Sequence, residues 1–131
     1  MTPLASLLDP ADNAVLYVSS VLTLYVDLPD TPARATIQDQ RQARLWFERG
    51  VSLALVETAL LLAELRRTGR PREMPPLPRI RSLAYFHPIV EELLEAPAPE
   101  GYLQYLRFKL RSIADKAEPT DVQKATFSGD R

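Results

Sequence analysis

The stretch GVSLALVETALLLAELRRTG, residues 50–69, decides how this chain folds. Ser52 carries the hydroxyl that an N-cap needs and Gly69 marks a stop, so the spacing predicts a helix over Leu53–Thr68. Leu53, Leu55, Val56, Ala59, Leu60, Leu61, Leu62, Ala63 and Leu65 leave it almost no polar side. A helix that is apolar nearly all round has neighbours on several sides. It is therefore read as the centre of an all-α bundle. Arg66 and Arg67 close the helix, where positive charge suits the negative pole of its dipole.

Outward from this centre, the preceding helix is expected over Ile37–Arg49. Thr36 is its cap, Asp39 its capping-box partner and Gly50 its terminator. Before the rigid turn Leu28-Pro29-Asp30-Thr31-Pro32, a first helix runs from a cap at Asp9 to Leu28, with Pro10 in its first turn. Ala14, Val18, Val21, Leu22, Tyr25 and Leu28 share one face of it at helical spacing. The stretch is rich in Val and Tyr, so a strand is the alternative there.

After Gly69 four prolines fall between Pro71 and Pro78, which makes Arg70–Arg81 an extended, polyproline-like connector. Met74, Leu77 and Ile80 are expected to anchor it on the core. Ser82 is read as the cap of a segment Leu83–Glu95 that Pro88 must kink or restart at His87. A short Ala-Pro-Ala-Pro spacer (96–99) leads to a last helix over Gly101–Ala117, striped by Leu103, Leu106, Leu110, Ile113 and Ala117. Pro119 is read as its end, leaving Thr120–Arg131 as a mobile polar tail. The expectation is one helical domain over residues 1–118, about five helices, with Trp46, Phe47, Tyr85 and Phe86 joining the core.

Composition supports that class. Of 131 residues 46% are apolar and 25% charged, ordinary values for a globular chain and too apolar for a disordered one. Absence of cysteine removes disulfides, thiolate metal sites and thiol catalysis. The N-terminus shows no basic region ahead of a long apolar core, and Val51–Ala63 is too short for a membrane span. The expected setting is the cytoplasm.

Two segments resemble a known pattern: LPDTP (28–32) followed by RGVSLALVE (49–57), and IRSLAYFHPIVEE (80–92). Together they are similar to a group of small bacterial helical proteins to which no activity is attached. The resemblance implies a bacterial helical domain and carries over no site.

Net charge is −1 but unevenly distributed. Residues 1–39 carry five acids and one base, whereas residues 40–90 carry nine bases and four acids. Arg66, Arg67, Arg70, Arg72, Arg79 and Arg81 crowd around the proline-rich connector, with Glu73 the only acid in that span. Arg107 and Arg111 add to the patch if the last helix packs nearby. Thirteen of the 16 cations are Arg, the side chain suited to planar contacts with phosphate or carboxylate. These eight arginines are the candidate nucleic-acid-binding residues. The plainer reading is that they pair with the molecule's own acids, among them Glu91, Glu92, Glu95, Asp27 and Asp30.

Other features point less far. Leu45–Leu60 resembles a helix-turn-helix around Gly50, although Trp46 stands where that motif needs a small residue. A glycine-turned helical hairpin explains the same residues. Pro75-Pro76-Leu77-Pro78 is a stiff connector or a polyproline ligand. His87 lacks an evident catalytic partner and reads as a packed or capping residue, and the Glu91–Glu95 ridge as a solvated face. With four scattered glycines there is no phosphate-cradling loop. No catalytic residues, cofactor or metal are expected. The sequence thus predicts a small non-catalytic bacterial accessory protein that binds nucleic acid through its arginine-rich loop and adjacent helix ends, in replication, a mobile element or regulation. Its alternative is a protein–protein adaptor or self-assembling module whose arginine loop meets an acidic protein surface.

Overall fold

The computed structural model describes residues 10–125, and side chains from residue 13 to residue 115. Five helices follow one another: α1 (Pro10–Val26), α2 (Ile37–Glu48), α3 (Leu53–Thr68), α4 (His87–Glu95) and α5 (Tyr102–Ala125). A 3-10 turn, Leu83–Phe86, leads into α4. No strand occurs among the described residues, so α1 is a helix and the strand alternative falls. The expected cap Asp9 lies outside the described residues.

Local chemistry explains most of the boundaries. α1 stops ahead of Pro29, and the Thr31 hydroxyl lies 2.6 Å from the Leu28 carbonyl and 3.0 Å from that of Tyr25. It serves carbonyls that the end of a helix leaves without partners. At the start of α2 the Thr36 hydroxyl accepts from the Asp39 amide, while Asp39 Oδ2 accepts from the Thr36 amide at 2.9 Å, the reciprocal capping box. At its end the Gly50 and Val51 amides bond back to the Phe47 and Trp46 carbonyls, both at 3.0 Å. This closure needs a left-handed residue, and Gly50 supplies it at φ 80°. Ser52 caps α3 through the Leu55 amide at 3.0 Å.

α3 is the hub, packed against α1, α4 and α5. Val56, Ala59, Leu60, Leu62 and Ala63 meet Val21 and Tyr25 of α1, Trp46 of α2, Leu83 and Phe86 of the turn, Val90 of α4 and Leu106 of α5 in one buried cluster. Trp46 is fully buried. Although α2 and α3 are consecutive, α2 lies against α1 and the 3-10 turn and barely meets α3. Neither a packed hairpin nor the close crossing of a helix-turn-helix is formed.

Four expectations are corrected. Ser82 makes no side-chain cap; the turn's first amide, that of Leu83, is instead held by Asp39 Oδ1 of α2 at 2.9 Å. Tyr85 stays 43% exposed instead of joining the core, its ring lying beside the Arg67 guanidinium. Met74 and Leu77 are likewise exposed, and only Ile80 of the connector is buried. Finally, α5 continues through Pro119 to Ala125. A proline fixes its own φ near the helical value and removes one backbone donor, so a helix can pass it at a cost of about 3 kcal/mol. Residues 120–125 are therefore helical, and the remainder of the expected mobile tail lies outside the described residues.

Candidate interaction surfaces

The eight arginines singled out from the sequence fall into three groups. Arg66 grips Glu92 with two bonds of 3.1 and 2.6 Å, and Arg107 grips Glu57 with two of 2.9 and 2.7 Å. Arg67 is the most enclosed: its side chain is 9% exposed and donates to the Pro78 carbonyl at 2.9 Å, Tyr85 Oη at 3.2 Å and Asp30 Oδ2 at 3.5 Å. These three are spent on internal contacts.

Two more are tethered to backbone. Arg70 donates to the Pro75 carbonyl at 2.9 Å, and Arg79 to the Thr31 carbonyl at 3.3 Å with Asp30 at 3.9 Å. With the Ile80 amide on the Asp30 carbonyl at 2.9 Å, these bonds hold the proline-rich connector alongside its one apolar anchor, the buried Ile80 side chain. Arg72, Arg81 and Arg111 make no ion pair or hydrogen bond among the described residues. Arg107 meets α3 at Glu57, nine residues and about 14 Å of helix from Arg66. The last helix therefore does not simply extend the loop's cationic patch.

The recess beside the loop, about 500 Å³, is mixed in charge: Arg67, Arg70 and Arg72 face Asp30 and Glu64 across it. Burial pushes the Glu64 carboxyl up to about 7, with Arg67 pulling it down and Asp30 adding to the rise. On the other side of the bundle, Arg49 pairs with Glu91, and its hydrogen bond holds that carboxyl below its usual range. His87 Nδ1 accepts from Trp46 Nε1 at 3.1 Å, and His87 Nε2 faces Glu91 at 3.2 Å. Both ring nitrogens are thus engaged in structure. Among the described residues no group of three or more His, Asp or Glu could hold a metal, and no helix is long and apolar enough to cross a membrane.

A larger concavity lies elsewhere. Between α1 and α2 runs an open groove of about 800 Å³. Ala14, Val15, Val18, Leu22 and Val26 of α1 and Ile37 of α2 make its apolar floor and walls, and Arg34, Arg41 and Arg44 stand along it with no carboxylate among the described residues of the lining. Val15 is 64% exposed and Ile37 63%, large values for β-branched side chains. Arg34 and Arg41 make no ion pair or hydrogen bond among the described residues, and Arg44 shares one exposed contact with Glu48 at 3.2 Å. Arg34 and Arg41 lie outside the dense run of arginines, so charge density along the chain does not single them out. One signal was available: α1 carries more apolar residues, Val15 and Leu16 included, than one buried face can use.

Comparison with protein-family models, with curated proteins and with solved structures finds no match for this chain.

Proposed function

We propose that the protein is a small, non-catalytic interaction module, an adaptor that docks another protein through the groove between α1 and α2. One observation carries this reading: Val15 and Ile37 stand well exposed on the apolar floor and walls of an open groove that two helices share. Soluble proteins leave extended apolar patches uncovered chiefly where something binds. The internal pairing of Arg66, Arg67 and Arg107 supports the same reading, since it withdraws three cations from any external polyanion. The setting proposed for this adaptor is the bacterial cytoplasm, in keeping with the absence of cysteine and the resemblance of the LPDTP and IRSLAYFHPIVEE segments.

A photo-cross-linking amino acid placed at Val15, and separately at Lys109 on α5, tests the reading in the source cell. A discrete adduct from position 15 that is missing from position 109 is expected. No adduct at position 15, or the same ladder of products from both positions, overturns it.

Nucleic-acid binding remains the second reading, favoured by Arg72 and Arg81, which no carboxylate holds. Phosphate-directed binding of this kind is strongly salt-dependent. Anisotropy titration of labelled duplex DNA, single-stranded DNA and RNA at low and near-physiological salt decides it, with R72E/R81E as the control. Salt-sensitive binding lost in that variant establishes it; silence on all three polymers at low salt removes it.

A further inference from the structure

We propose that the occupant of the α1–α2 groove is an acidic amphipathic helix of a partner protein, an inference that rests on the adaptor reading and gives its partner a chemistry. The groove's shape narrows the choice first. Val15 to Val26 spans eleven rises of α1, about 16 Å, the length of three helical turns. That footprint suits a short helix presenting apolar residues at i, i+3, i+4 and i+7. An added strand has nothing to pair with, because no sheet edge exists among the described residues. A polyproline segment docks between aromatic rings, and none lines this groove.

Charge narrows it further. Among the described residues Arg34, Arg41 and Arg44 are the only charged members of the lining, so a helix lying on Val15, Val18, Leu22 and Ile37 meets these cations along its flanks. Carboxylates on those flanks find partners that the chain itself does not occupy at Arg34 and Arg41. At Arg44 they compete with Glu48, whose exposed pairing is weak. Lysines or arginines on the same flanks meet like charge. The guanidinium forks also match carboxylates in a planar, two-point geometry that a lysine does not offer.

A second copy of this chain is a poorer occupant. Its best acidic helix is α4, where Glu91 and Glu92 are already held by Arg49 and Arg66. Using them in trans breaks two contacts in order to form others of the same kind.

The test uses the full chain and a labelled helical peptide of about 14 residues, with leucines at the i, i+3, i+4, i+7 positions and glutamates on the flanks. Its counterpart carries lysines in place of the glutamates. The acidic peptide is expected to bind about tenfold more tightly than the basic one, a difference of about 1.4 kcal/mol. R34E/R41E is expected to reverse that preference. Both positions are exposed, so circular dichroism of the variant should match the parent. Equal binding of the two peptides, or an unchanged preference in R34E/R41E, overturns the proposal.

Failure here and failure of the adaptor reading are separable. An adduct at position 15 together with no charge preference keeps the docking surface and discards the acidic helix. A light-scattering mass showing a dimer that V15D dissolves assigns the groove to a second copy, which also overturns the acidic partner. Absence of any adduct at position 15 removes both.

Discussion

The indole of Trp46 donates its Nε1 hydrogen to Nδ1 of His87, 41 residues further along the chain, at 3.1 Å, with the two rings within 12° of parallel. With Nδ1 accepting from the indole, the other ring nitrogen, Nε2, lies 3.2 Å from Glu91 Oε2. Glu91 is in turn held by Arg49. One chain of contacts therefore runs from the core to the surface and joins α2 to α4. It gives the chain's single histidine a structural occupation.

His87→Ala strands the buried indole donor. An unpartnered buried donor costs about 1–3 kcal/mol, so the urea midpoint should fall accordingly. Trp46 is the only tryptophan, which makes its emission a direct second readout. A shift in that emission should accompany the loss. Unchanged stability and unchanged emission together would mean that the indole has another acceptor.

Asp39 is buried and faces no cation among the hydrogen bonds it makes: Oδ2 accepts from the Thr36 amide and Oδ1 from the Leu83 amide, both at 2.9 Å. It caps its own helix and ties the entrance of α4 to α2. Asp39→Ala abandons two donors, one of them deeply buried, and should cost about 3 kcal/mol in chemical denaturation. Asp39→Asn keeps one acceptor oxygen and should lose about half as much. An alanine variant within about 0.5 kcal/mol of wild type, the range of neutral surface changes, would contradict this role.

The Glu64 carboxyl, pushed up to about 7 by burial, binds its proton more tightly in the folded chain than in the unfolded one, where its ordinary value is 4.5. Its stabilising contribution is therefore complete below about pH 4.5 and is lost as the pH rises through about 7. Glu64→Gln removes this dependence. Relative to wild type the variant should gain roughly 2 kcal/mol between pH 5 and pH 8, measured by urea unfolding at both. Parallel pH profiles for the two proteins would show that Glu64 ionises freely.

Much of this fold is legible in the sequence because its decisive signals are local. The Thr36–Asp39 box, the Gly50 closure and the Ser52 cap each act within five residues, and each sets a helix boundary where its spacing says. Signals that depend on distant partners are not legible. Ser82 loses its capping role to a carboxylate 43 positions earlier, and Tyr85 is drawn to a guanidinium on another helix. The arginine cluster shows the same limit from the other side. Its density along the chain is plain, but Glu92, Glu57 and Asp30 neutralise three of its members only once the helices have packed. The groove between α1 and α2 is harder still, since a concavity belongs to two helices at once and neither one's periodicity contains it.

The attachment of α5 has a consequence for how the molecule opens. Among the described residues α5 meets α3 and no other helix to a similar extent, with Leu106 as its one fully buried side chain and the Arg107–Glu57 pair as its outer clasp. Detaching it uncovers one flank of α3 and leaves the contacts among α1, α2, α3 and α4 standing. Such a sub-global opening costs less than complete unfolding, so the amide hydrogens of α5 should exchange with solvent ahead of those in α3. Exchange in that order would mark two cooperative units of unequal strength, the stronger one carrying the groove. Engaging or displacing the last helix would then leave the surface between α1 and α2 intact.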